Sequence, residues 1–175
     1  MIKSKSHQIV IIALLTAAAA ILSYVESLIP AFIPIPGIKL GLANIATMLA
    51  LAIFNVPVAL GIVAARVFLT GFMFGSLSTI LYSLAGGVLS CLVMGLLFHL
   101  NQKAEKPLFS YYGISIFGAL SHNVGQMAVA FIVLQSVPLV VSYLPFLILA
   151  AIPVGLLTGL IFTKLLPHLP KNFKK

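Results

Sequence analysis

Hydrophobic residues along this chain form long uninterrupted runs, separated by short clusters of turn residues. Neither a two-residue alternation nor a polar helix face breaks most of them. Six runs can be marked, at about residues 8–29, 38–54, 58–74, 77–100, 113–136 and 144–166. The breaks between them have physical causes. Pro30, Pro34 and Pro36 remove backbone donors and restrict the residues before them. Asn55-Val56-Pro57 and Gly75-Ser76 are turn signals, and residues 101–110 are a polar loop with Lys103, Glu105 and Lys106. Pro138 and Pro145 are read as the break before the sixth run. A run of about 20 apolar residues is the length that crosses a bilayer as a helix. Backbone groups in hydrocarbon must be paired internally, and ten-residue alternating segments of the barrel type are absent. The pattern therefore predicts an all-α membrane protein of about six transmembrane helices, forming a single domain over residues 1–175.

Composition strengthens this reading. Of the 175 residues, 62% are hydrophobic and 7% charged, where a soluble domain carries about a quarter charged residues. The basic excess, +8, sits mainly at the termini and in the 101–110 loop. That placement favours anionic lipid headgroups over nucleic acid as its partner. With the N-terminus inside the cell, Lys3, Lys5, Lys103, Lys106, Lys164, Lys171, Lys174 and Lys175 all face the cytoplasm. This follows the positive-inside rule and places a multi-pass protein in the plasma membrane with both termini cytoplasmic. The first run follows two lysines, as a signal peptide would. It is too long for a signal-peptide core and is read as an uncleaved first helix.

Chemistry is sparse. The chain has no aspartate, two glutamates and one cysteine, Cys91. These exclude an Asp-rich magnesium site, a thiol metal site, paired-carboxylate catalysis and a Ser-His-Asp triad. No Walker lysine motif is present. The expectation is a protein that is not an enzyme, with no cofactor and no metal.

Three charges are not explained by topology: Glu26, Lys39 and Arg66. A central Arg or Lys costs roughly 3 kcal/mol on insertion scales, so such residues face a cavity or a partner charge. They either lock helices as an internal ion pair or line a ligand pocket open to the outside, bounded by the proline turn. In the second case the surplus cation selects a carboxylate or phosphate. Asn44 continues the face that starts at Lys39. On the fifth run Ala119, His122, Asn123 and Gln126 share a face at helical spacing, beside Ser115 and Gly118. The candidate substrate contacts are thus Glu26, Lys39, Asn44, Arg66, His122, Asn123 and Gln126. Thr79, Ser83, Gly86, Gly87 and Ser90 on the fourth run are read as a close-packing face. Ala13 and Ala17 form a small-xxx-small pair on the first run.

Several of these runs also carry a family resemblance. V-E-S-L-I-P at 25–30, P-G-I-K-L-G-L-A-N at 36–44, Ala65-Arg66 and S-L-A-G-G-V-L-S at 83–90 resemble the bacterial membrane family described both as heptaprenyl diphosphate synthase component I and as Gx transporter. That family is similar to the substrate-binding S components of energy-coupling factor (ECF) vitamin transporters. The resemblance implies an S-component-like six-helix bundle that captures a scarce nutrient, such as a vitamin or a quinone or isoprenoid precursor. It implies docking through an Ala-x-x-x-Ala pair, matched by Ala13 and Ala17, on a shared transmembrane component driven by two ATPase subunits. One alternative is a non-catalytic membrane subunit for polyprenyl diphosphate synthesis in isoprenoid or menaquinone metabolism. Another is a stand-alone proton-coupled carrier, with His122 or Glu26 titrating.

Overall fold

A computed structural model describes residues 5–28 and 41–169. Lys39 and most of the proline turn lie outside the described residues. Within them the chain is all-helical. The helices are α1 Lys5–Leu28, α2 Asn44–Ile53, α3 Val56–Phe74, α4 Leu77–Lys103, α5 Tyr111–Leu134 and α6 Val137–Leu165, the last followed by a 3₁₀ turn at Leu166–His168. Five of the six are long and apolar enough to cross a membrane. Each of the five exposes large apolar side chains, among them Leu14, Phe72, Leu96, Ile132 and Leu149. In water such a surface would drive aggregation; in a bilayer it faces lipid. The molecule is a multi-pass membrane protein.

The chain breaks at 54–55, 75–76 and 104–110 fall where the turn signals and polar loop lie. Asn55, Ser76 and Ser110 cap α3, α4 and α5, each accepting from the backbone N–H three residues on. This satisfies one of the donors a helix start leaves open. Pro57 lies in the first turn of α3, where its missing N–H costs nothing.

Two expectations are corrected. The second run was expected to be helical over residues 38–54, but its helix begins at Asn44. Gly41 has φ +96°, in the left-handed region, and cannot be part of a right-handed helix. At ten residues α2 is about 15 Å long, half the hydrocarbon thickness. As a helix it is a half-length plug; contacts of Tyr24 with Phe74 and of Ser23 with Arg66 put the C-terminal ends of α1 and α3 at the same end of the bundle, so the chain still returns across the membrane between them. Eight of the ten residues of α2 are buried, and it touches all five other helices. The second correction concerns α6, which starts at Val137 rather than near 144. The break falls at Gln135, in the left-handed conformation, and Ser136. Pro138 then sits in the first helical turn, and Pro145 and Pro153 are carried inside the helix. Transmembrane helices tolerate interior proline because neighbouring groups re-satisfy the freed carbonyls.

The core is divided by depth. Met48 and Leu51 of α2 pack with Ile62, Met94, Ile114 and Phe162 in an apolar half, toward the ends of α4 and α6. A smaller apolar cluster, Tyr82, Met127, Ala130 and Leu147, joins α4, α5 and α6. The remaining interior is polar. There α4 and α5 come unusually close. A Cβ added at Gly125 would lie 2.7 Å from the Ala85 carbonyl oxygen, and one at Gly86 would lie 2.8 Å from that of His122. Glycine at both positions lets the two backbones touch.

Candidate functional site

The polar interior is built from five helices at one level of the bundle. α1 delivers Ser23 and Glu26, one turn apart; α2 delivers Asn44 and Thr47; α3 delivers Arg66 and Thr70; α4 delivers Ser83; α5 delivers His122 and Gln126. All nine side chains are buried. This layer forms where α1 ends and α2 begins, because Gly41 turns the chain inward there.

Glu26 accepts a hydrogen bond from the Gly41 backbone N–H across fifteen residues of chain. The carboxylate thus fixes the entrance to α2. Gly41 in turn lies against Asn44 and His122: a Cβ there would meet Asn44 Nδ2 at 3.0 Å and the His122 ring at 3.2 Å. His122 Nε2 is 2.9 Å from Gln126 Nε2.

Arg66 is 2% exposed. Its Nη1 donates to Ser23 Oγ at 2.7 Å. Among the described residues, its Nε and Nη2 have no hydrogen-bond partner. The Glu26 carboxylate is the anionic charge that acts on it electrostatically. The guanidinium lies over Gly87, where a Cβ would come within 3.1 Å of Nη2 and 2.7 Å of Val63. Further polar atoms share its condition. Asn44 Nδ2 and Oδ1, Thr47 Oγ1, Ser83 Oγ and Ser90 Oγ are buried without a partner among the described residues. Each such group carries a desolvation cost of about 1–3 kcal/mol, more when charged. Their concentration in this part of the interior is what singles it out as the candidate site.

Of the seven sequence-predicted contacts, the structure brings Glu26, Asn44, Arg66, His122 and Gln126 into this layer. Lys39 is outside the described residues. Asn123 is buried but turned elsewhere: its amide donates to the Leu147 carbonyl of α6 at 2.7 Å. That bond ties α5 to α6. Ala13 and Ala17 are exposed on α1, with Leu14 and Ala18 beside them, so no internal packing uses them. The sequence reading did not single out Ser23 and Thr47, and it assigned Ser83 and Ser90 to packing. The available signal was spacing: Ser23 is one turn before Glu26, and Thr47 one turn after Asn44.

A cavity of about 680 Å³ opens at the opposite end of the bundle. Its walls include Phe98, Asn101, Phe109, Tyr111, Phe162 and Leu166, and it holds none of the predicted contacts. The polar layer is the better candidate because it gathers five of the predicted contacts among buried polar groups with no partner in the described residues. Among the described residues no three His, Cys, Asp or Glu side chains gather as a metal site would need.

A polytopic helical membrane protein with a buried polar layer near one end is the class these features define. The chain belongs to the heptaprenyl diphosphate synthase component I family, whose profile matches residues 15–165. No curated protein and no solved structure matches it.

Proposed function

We propose that the chain is the substrate-binding membrane component of an ECF-type importer and takes up a small nutrient, such as a vitamin or a quinone or isoprenoid precursor. The observation that carries this reading is the layer of buried polar groups around Arg66, with donors and acceptors left open in an apolar surround. A protein that only needed stability would fill the layer with apolar side chains. The ligand enters from the outer face, at the end of the bundle where α1 gives way to α2. It contacts Glu26, Asn44, Arg66, His122 and Gln126, with Lys39 at the rim and Asn123 bracing α5. Lys39 and Arg66 pair with its anionic group, and Glu26 orients a cation or hydroxyl. No covalent step is involved: binding and closure are followed by movement of the whole protein on its partner. The exposed Ala13–Ala17 strip is the docking face for the transmembrane component, which two ATPases drive. Both lysine-rich termini are cytoplasmic.

The test separates docking from binding. Leucine at both positions, Ala13→Leu with Ala17→Leu, is expected to abolish co-purification with the transmembrane component and leave ligand binding unchanged. Replacing Lys39 and Arg66 by Ala is expected to abolish binding and leave docking intact. Uptake that survives both changes would sink the proposal.

The family description favours a second reading, a non-catalytic membrane subunit that supports polyprenyl diphosphate synthesis. Its mark would be a purified chain that raises a synthase partner's activity with no ATPase present.

A further inference from the structure

We infer that the cavity at the loop end of the bundle holds one acyl chain of an anionic phospholipid, with the phosphate seated on the lysines around its mouth. This site is separate from the polar layer and does not rest on the transport reading.

The cavity, about 680 Å³, lies where α4 and α6 end and α5 begins. Its volume is that of a pocket that takes a small organic ligand. The lining passes from Ala52, Phe98 and Phe162 within the helices to Gln102, Pro107 and Ser110 in the polar 101–110 stretch. Phe98 and Gln102 are one turn apart on α4, about 6 Å along its axis. The space therefore runs from hydrocarbon depth to the level of the lipid head groups.

The walls suit an alkyl chain better than water. Phe98, Tyr111 and Phe162 form one aromatic wall, with Tyr111 and Phe162 centred 5.0 Å apart and Phe98 6.1 Å from Phe162. Phe109 adds a fourth ring, held edge-on against Phe117 at 6.4 Å. The polar side chains between these rings are engaged by backbone. The Asn101 amide bonds both backbone groups of Phe109, Ser110 Oγ accepts from the Gly113 N–H, and Thr163 Oγ1 donates to the Gly159 carbonyl. An enclosed water needs about two to four polar partners; a methylene chain needs none.

Charge around the mouth selects the head group. Lys103 follows Gln102, Lys106 precedes Pro107 and Lys164 follows Thr163, so three exposed lysines adjoin lining residues on two sides of the opening. Glu105 is the single acid in the 101–110 stretch, and the mouth stays net basic. Basic pockets between membrane helices at head-group level recognise anionic lipids. An acyl chain is already in hydrocarbon before it enters, so the cavity adds close packing. The choice among lipids comes from the phosphate, which a zwitterionic head partly neutralises.

The chain has no tryptophan, so a single one reports on its own surroundings. Phe98→Trp, with Tyr111→Trp as a second reporter in the same wall, is reconstituted as the full chain in vesicles. Phosphatidylglycerol or phosphatidylcholine brominated on the acyl chains is then mixed in at equal mole fraction. At both reporters quenching is expected to favour phosphatidylglycerol about fivefold, the ratio that one lysine near an anionic surface supplies. Phe131→Trp, exposed on α5 toward the other end of the bundle, should show no preference. Lys103→Gln with Lys106→Gln and Lys164→Gln should remove the preference at Phe98→Trp. Ala52→Leu, which takes up space in the cavity, should weaken quenching by both lipids. Tryptophans at 98 and 111 that neither lipid quenches would overturn the proposal, because no chain then enters. Equal quenching by the two lipids would overturn the anionic assignment, and quenching unchanged by Ala52→Leu would overturn the cavity as its place.

Discussion

Arg66→Met separates a ligand-facing arginine from a structural one. A buried arginine at mid-helix costs roughly 2.5–3.5 kcal/mol to place. In the described residues the return is one hydrogen bond, Nη1 to Ser23 Oγ at 2.7 Å, of about 1.5–3 kcal/mol for a charged donor. Attraction to Glu26 adds to this. The desolvated Nε and Nη2 return nothing. The two sides nearly cancel. Methionine fills much of the same volume, removes the buried charge and leaves Ser23 free to bond a carbonyl on its own helix. The stability of the unliganded protein is therefore expected to stay within about 1 kcal/mol of the parent, or to rise by about 1–3 kcal/mol, as when buried ionic groups give way to apolar ones. Equilibrium unfolding in mixed micelles, without ligand, measures this. If Arg66 were instead half of an ion pair that locks α1 to α3, removing it would strand Glu26 and cost about 3–5 kcal/mol. A loss of that size would refute the reasoning and return Arg66 to a purely structural role.

Three further predictions follow from particular contacts. Gly41→Ala forces a side chain into φ +96° and against Asn44 and His122; a loss of about 1–2 kcal/mol is expected, with ligand binding impaired because Glu26 loses its fixed partner. Gly125→Ala puts a methyl 2.7 Å from the backbone oxygen of Ala85; thermal melting should show a loss of about 1–3 kcal/mol, while Gly61→Ala, with open space around it, should cost nothing. Asn101→Ala removes both bonds that close the loop onto Phe109, Nδ2 to the carbonyl at 2.7 Å and the backbone N–H to Oδ1 at 2.9 Å; limited proteolysis in the 104–108 segment should accelerate several-fold, with a stability loss of about 1–3 kcal/mol.

Hydropathy alone determined the class of this protein. A bilayer admits a long segment only if its backbone bonds to itself, so apolar run length translates directly into helices. The five long helices were readable for that reason, as were the breaks at Asn55-Val56-Pro57 and Gly75-Ser76 and the polar loop over 101–110. Charge in an apolar run is also conspicuous, because it costs energy that packing does not repay. Glu26 and Arg66 stood out on those grounds before any contact was visible.

Tertiary structure decided what hydropathy cannot encode. A plug helix is as apolar as a span, so only the left-handed Gly41 and the contacts of α2 with every neighbour reveal that it stops halfway. Serine is equally at home in a tight helix crossing and in a binding layer. Ser83 and Ser90 are both buried with hydroxyls that have no partner among the described residues, which helix packing alone does not require. Asn123 shares a helix face with His122 on paper, yet one residue is a rotation of about 100°, enough to turn its amide to α6. Run length and charge are properties of the chain, whereas the partner of each polar group is set by which helices meet.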